Sequence, residues 1–522
     1  MKELQALSVV SPGFYGLNTQ ESGITLSSNF ASLTDNVVID KYGRLGSRKG
    51  WAMKTTNGAA ALGGNLIEFL HEHVNADGST DILSGGNNKL FREGIAADLL
   101  DITPAGYTIT ANNWKAANIY DHSLIVQQDH PPLLFTRESG GPVLNLVTAH
   151  TFHGSHTPNY GVSYPRDAIA AYGRFWVHDG STIYWSTDIA DAAFPAFDGG
   201  TSGTLNIAAV LPQNVDTIVA LASHNNFLII FCEKNIVIYG GADNVLGASF
   251  LLTDVIAGVG CVSRDSIANT GNDLIFLSDT GVRSLGRLIQ EKSLPMRDLT
   301  KNVRDDLLKD MAIERENKTN LDGVNAVYSE VNAFYLLSFP STSTIYCLDM
   351  RQALEDGSAR VTVWYAYSAP AMLRRKNRDI LIGKENGIGL YSGYTDNLVS
   401  YRLRYFSHYL DFQSSTTLKM LKQISATVIG GSNQSFVIKA GFNYEENYIS
   451  YPFLINTGEV FEYGVAKYNY GAEYAVGVVL DSIKSSVGGS GNVVQIGFEA
   501  DVDGDALSVQ KLDIFVKTGR TS

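Results

Sequence analysis

Between Leu66 and Tyr394 the chain repeats one hydrophobic phrase seven times: a β-rich run, a polar turn, three or four apolar residues, a second turn, then a strand ending in an aromatic residue or leucine. The apolar runs centre on Ile82, Ile125, Trp176, Ile229, Ile275, Leu336 and Leu381, at spacings of 43, 51, 53, 46, 61 and 45 residues. A recurring unit of ~50 residues made of several short strands is how a β-propeller blade reads in sequence. The repeats match when laid side by side. Asn226-Phe-Leu-Ile-Ile-Phe231 is followed by Glu233-Lys-Asn235 and Ile236-Val-Ile-Tyr239. Asp273-Leu-Ile-Phe-Leu277 is followed by Ser278-Asp-Thr-Gly281 and Val282-Arg-Ser-Leu285, and Gly173-Arg-Phe-Trp-Val177 by His178-Asp-Gly180 and Ser181-Thr-Ile-Tyr-Trp185. Strand-length runs of Ile, Val, Phe and Tyr around a polar turn predict hairpins. Near-continuous apolar runs predict strands covered on both faces. The expectation is an all-β chain with a propeller of six to eight blades, seven being the number of repeats.

The pattern changes at both ends of the repeats. Residues 1–55 form an arm punctuated by Gly and Asn, residues 56–400 carry the propeller, and residues 401–522 show longer alternating strands that predict an antiparallel β-sheet or sandwich domain. Within that last zone Asn492–Glu499 and Leu507–Val516 read as a hairpin around Asp501-Val-Asp-Gly-Asp505. One helical insertion is predicted near 300–317, with Thr300 as N-cap and Val303, Leu307 and Met311 on one face. Such a helix either packs on the ring or meets another subunit. Tyr463, Tyr468, Tyr470 and Tyr474 crowd residues 461–474, where sheet packing and an intersubunit contact are both open readings.

Composition narrows the chemistry. A formal charge of −13 argues against general affinity for nucleic-acid phosphates. Cys232, Cys261 and Cys347 are scattered, which predicts core thiols in a reducing compartment instead of a disulfide framework. The opening residues lack a signal peptide's apolar stretch, and no window approaches the ~18–20 apolar residues of a membrane span. His150, His153 and His156 have a spacing compatible with metal, but Gly154 and Pro158 predict a loop; His71 and His73 share one face of a strand. Asp501–Asp505 lacks the later bidentate Glu of a calcium loop. Arg374-Arg-Lys-Asn-Arg378 is the one dense basic run, read as a solvated turn with an acidic partner or passing DNA as the sharper alternative. No phosphate-binding loop, dinucleotide fingerprint or nucleophile elbow is present, and no carboxylate pair stands out among 53 acidic residues. The expectation is a protein without catalysis, cofactor or metal.

The arm adds a resemblance. Gly13-Phe-Tyr-Gly-Leu-Asn18, Asn36-Val-Val-Ile-Asp40, Gly43-Arg-Leu-Gly-Ser-Arg48 and Gly50-Trp51 resemble the opening of tail nozzle proteins of short-tailed bacteriophages, also called tail tubular protein B, and of related head-tail stabilisation proteins. The resemblance implies a structural virion protein: a homo-hexamer below the portal and adaptor that meets tail fibre or other tail proteins. It would be assembled in the host cytoplasm, close the tail channel and conduct DNA during ejection without binding it specifically. Six copies at −13 each would carry −78, a charge suited to a repelling wall. Gly16, Asn18, Asn36, Asp40, Gly43, Arg44, Arg48 and Gly50 carry over as structural or assembly positions, with the glycines serving turns and the two arginines reaching carboxylates. The runner-up reading is a carbohydrate-binding or glycan-cleaving propeller of a phage tail.

Overall fold

The computed structural model of the 522-residue chain describes all residues except 1–3, 24–25, 139–140, 147–163, 193, 198–199, 212–215, 246–249, 291–297, 319–320, 432–433, 446, 456–479 and 522. Each apolar run becomes the second strand of an antiparallel sheet. In the fourth blade, Ile218–His224, Phe227–Cys232, Asn235–Gly240 and Leu251–Ala257 pair in chain order. Side chains alternate across a strand, so the run serves two interfaces at once. Leu228 and Ile230 face Trp176 and Ile183 of the third blade, while Ile229 and Phe231 face Leu274 and Phe276 of the fifth. That is why no polar residue interrupts the run.

Six sheets stand alone as blades, five of four strands and one of three. In the three-stranded blade around Ile275, the short helix Leu285–Gln290 follows where a fourth strand would lie. The last blade, Met372–Arg374, Ile380–Lys384 and Gly387–Tyr391, is completed by Trp51–Met53 from the arm. The repeat centred on Leu336 forms no blade of its own. Its strands Asn325–Ser329, Phe334–Phe339, Thr344–Asp349 and Arg360–Trp364 fill a place in the ring, between the fifth and last blades, and then run on into a ten-stranded sheet. The expected range of six to eight holds, but seven repeats yield six free-standing blades. The cause is remote pairing: Val361 lies beside Gly16, and Gly16 beside Phe30, both in parallel register.

The far half of that sheet packs against a seven-stranded sheet built on Thr417–Gly430 and Leu507–Thr521. Tyr405, Phe436, Phe498, Ile424, Ile514 and Val516 fill the space between them. The described strands from Tyr401 onward lie in these two facing sheets, and strands of the arm are woven into both. Leu4–Val10, Val37–Ile39 and Leu45–Ser47 join the seven-stranded sheet, and Gly16–Leu17 and Phe30–Asp35 the ten-stranded one. Two local expectations fail. Val494–Val502 and Leu507–Thr521 are no hairpin: they belong to opposite layers, and the Asp503–Ala506 link crosses between them. The helix Arg304–Asn317 is present with Val303, Leu307 and Met311 buried against the ring, but Thr300 does not cap it. The Thr300 hydroxyl donates to Asp298 (2.8 Å) and accepts the Val282 amide (3.1 Å) instead.

Candidate functional site

The arm residues singled out from the sequence serve turns of the arm and its joins to distant segments. Gly16 (φ +89°) passes so close to Val361 that a Cβ would strike its carbonyl oxygen, and a Cβ on Gly50 would strike that of Thr395. Glycine is the residue that permits such backbone approach. Gly43 (φ +73°) turns the chain over Pro12. Asp40 organises that turn, accepting the amides of Tyr42 (2.8 Å) and Arg44 (3.0 Å) while its other oxygen meets Arg44 Nε at 2.6 Å. Asn18 is buried and accepts the amides of Gln20 and Glu21, closing the next bend.

Arg48 is the centre of the clasp. It is 1 % exposed and grips Asp396 with its two terminal guanidinium nitrogens, at 2.8 and 2.6 Å. Its Nε donates to Asn36 (2.7 Å), whose own amide donates to the Arg402 carbonyl (2.8 Å). Asn36 holds φ 58°, a left-handed conformation that asparagine tolerates. The rings of Tyr367 and Tyr401 lie 4.4 and 4.0 Å from the guanidinium, and the Tyr401 hydroxyl donates to the Arg48 carbonyl. Burial works against the Arg48 charge, and the hydrogen bonds and charge of Asp396 more than offset it, so its pKa is raised. A buried cation of this kind persists only when paired and hydrogen-bonded throughout. The clasp joins the arm, the last blade and the first C-terminal strand. Its partners Asp396, Tyr367, Tyr401 and Lys384 left no mark in the sequence pattern, because each lies more than three hundred residues from Arg48 along the chain.

A second cluster sits at one mouth of the ring. Lys115, on the first strand of the second blade (Lys115–Ile119, His122–Gln127, His130–Glu138 and Gly141–Leu146), reaches Asp265 at the start of the three-stranded fifth blade (2.8 Å). Arg264 also pairs with Asp265 (2.6 Å) and donates to Asn113 and to the Arg166 carbonyl, each at 2.8 Å. Burial opposes the Asp265 charge, yet Arg264 and Lys115 hold its pKa down to about 2. The second and fifth blades are not neighbours, so these bonds cross the propeller's own hole. Beside them lies a cavity of about 520 Å³ lined by Arg166, Lys234, Asp129, Glu233 and Asp322 among others, with no aromatic ring among the described lining residues.

Other expectations resolve quietly. His71 and His73 both meet the Ser123 hydroxyl of the second blade, at 3.0 and 2.7 Å, and burial pushes the His71 pKa down to about 3. Arg374–Arg378 is a hairpin turn whose three arginines pair with Glu330 and Glu72, while Lys376 gives Glu72 only its backbone amide. The three cysteines are unpaired and buried, with burial raising the Cys261 thiol to about 11. Among the described residues no group of three or more His, Cys, Asp or Glu is placed to hold a metal, and no helix is long and apolar enough to cross a membrane. His150, His153, His156 and the tyrosines of 461–474 lie outside the described residues.

The chain is a β-propeller. No known family model matches it, and neither does any curated protein. Solved structures similar in chain path include YCF48 bound to D1 peptide, at 10 % identity over 63 % of this chain and 92 % of that one, with a TM-score of 0.35. Another is the Neurospora crassa Pan2 WD40 domain, at 8 % identity over 66 % and 95 %, TM-score 0.36. PorZ, a surface component of the type-IX secretion system of Porphyromonas gingivalis, shares 12 % identity over 88 % of this chain and 60 % of its own, TM-score 0.36. At these values the likeness concerns architecture and carries nothing about activity.

Proposed function

We propose that the propeller is a structural subunit of a short-tailed phage, a tail nozzle that closes the tail channel as a hexamer and conducts DNA during ejection, without catalysis of its own. The observation that carries this reading is the fate of the arm motif on which the resemblance rests. Asn36, Arg48 and Gly50 are consumed in joining the arm to distant segments and Asp40 and Arg44 in shaping a turn of the arm, and the Arg48 guanidinium is fully engaged inside the protein. That is the use a wall subunit makes of such residues. The ion pairs across the propeller's hole support a DNA path between copies, not through any one of them.

Negative-stain microscopy of the purified chain, alone and with neighbouring tail proteins, tests the reading. Six-fold rings or incorporation into tails is the expected outcome. A chain that stays monomeric with every tail protein counts against it. Hydrolysis of host-surface polysaccharide, lost on Glu233→Gln or Asp322→Asn, would instead favour a glycan-cleaving propeller working at the mouth carboxylates.

A further inference from the structure

The clasp contains two buried cations and one carboxylate. Arg48 takes both oxygens of Asp396, and among the described residues Lys384 has no carboxylate within ion-pair distance. Lys384 ends the second strand of the last blade and is 9 % exposed. Its Nζ donates to the Ser368 carbonyl (2.6 Å) and lies 4.0 Å from the Tyr367 ring and 4.8 Å from the Trp51 ring. Trp51 belongs to the arm strand that completes this blade. Lys384 thus sits against the element that shuts the ring.

We propose that Lys384 is a proton-operated latch: when it takes up a proton the strand Trp51–Met53 loosens from the last blade, and when it gives the proton up the strand is held. Each packed element contributes charged or titratable groups: Arg48 from the arm, Tyr367 from the preceding loop, Tyr391 from the blade, Asp396 beyond it, Tyr401 from the C-terminal strand and Cys347 beneath. Burial raises Tyr367, Tyr391, Tyr401 and Cys347, so they stay neutral, and Arg48 stays charged. Burial lowers the Lys384 amine to about 7, with Asp396 opposing and Arg48 adding to the shift. The two rings favour the ammonium but do not outweigh its lost hydration. A solvent-exposed lysine has a pKa of ~10.4. From pH 7 up to that value the open state binds more protons than the closed one, so opening becomes about tenfold rarer per pH unit. Below pH 7 both states are protonated and the dependence levels off. This latch does not rest on the tail reading.

Hydrogen exchange of the full chain from pH 6 to 9.5, corrected for intrinsic exchange, reads it at residues 51–54. The opening constant is expected to be level from pH 6 to 7 and to fall about tenfold per unit above it. Lys384→Met should abolish the slope, and Lys384→Arg should leave the strand loosened at every pH. A flat wild-type profile overturns the proposal, as does an undiminished slope in Lys384→Met. Should that variant not fold, Lys384→Gln replaces it, and the flat wild-type profile remains decisive.

Discussion

At the scale of single residues, Arg48 and Asp396 form a pair whose members cannot be removed one at a time. Asp396→Ala would leave a guanidinium buried at 1 % exposure without its counter-charge. Breaking a buried pair from one side costs about 3–5 kcal/mol, whereas replacing both partners by apolar residues of like volume is often near neutral. Asp396→Ala is therefore expected to move the urea transition sharply to lower concentration, and Arg48→Met with Asp396→Leu to restore much of it. Equal losses in the single and double variants would mean that the tyrosine rings and Asn36, not the ion pair, hold the arm. Glycines 16 and 50 read as turn residues in the sequence, whereas the structure uses them where backbone passes close to Val361 and Thr395, contacts that only glycine allows. Arg48 was legible as an anchor, but its carboxylate was not, since nothing local connects Asp396 to it. Thr300 misled for a physical reason: Asp298 two residues earlier offers its hydroxyl and amide a nearer partner (2.8 Å each) than the helix start does.

At the scale of elements, the blades were readable because the middle of each second strand carries consecutive apolar residues that serve two neighbours. The arm was not, because its strands pair with segments such as 361, 390 and 509 that carry no trace of the partnership. The same remoteness hid the fate of the seventh repeat and the layer change after Val502. The closing strand Trp51–Met53 is three residues long and lies opposite Gly389–Tyr391. A proline there removes a ladder donor. Ala52→Pro is thus expected to lower the melting temperature and to admit protease cleavage near residues 54–66, with the fourth blade still resistant in the first fragments. Cleavage appearing at both places together would show that the ring opens as a unit and that the strand is no separate fastening.

At the scale of the whole molecule, a net charge of −13 and a hole spanned by Lys115, Asp265 and Arg264 leave little for a nucleic acid to hold. Phosphate binding draws on clustered, unpaired Lys and Arg, and the three arginines of the one dense basic run are already paired with Glu330 and Glu72. Duplex DNA is expected to run unretarded with micromolar protein at roughly physiological salt. A retarded band whose affinity falls steeply with added salt would reveal a basic track that the net charge conceals.

Among the strands of the ring, the one that seals the circle is made first and paired last. Residues 51–53 leave the ribosome well before 389–391, their partners, exist. At about 5–20 residues per second that interval is on the order of tens of seconds. During it the nascent chain carries an unmated β-segment and an incomplete circle of sheets, so its most sticky moment falls during translation, and the timing of synthesis becomes part of how the protein escapes aggregation.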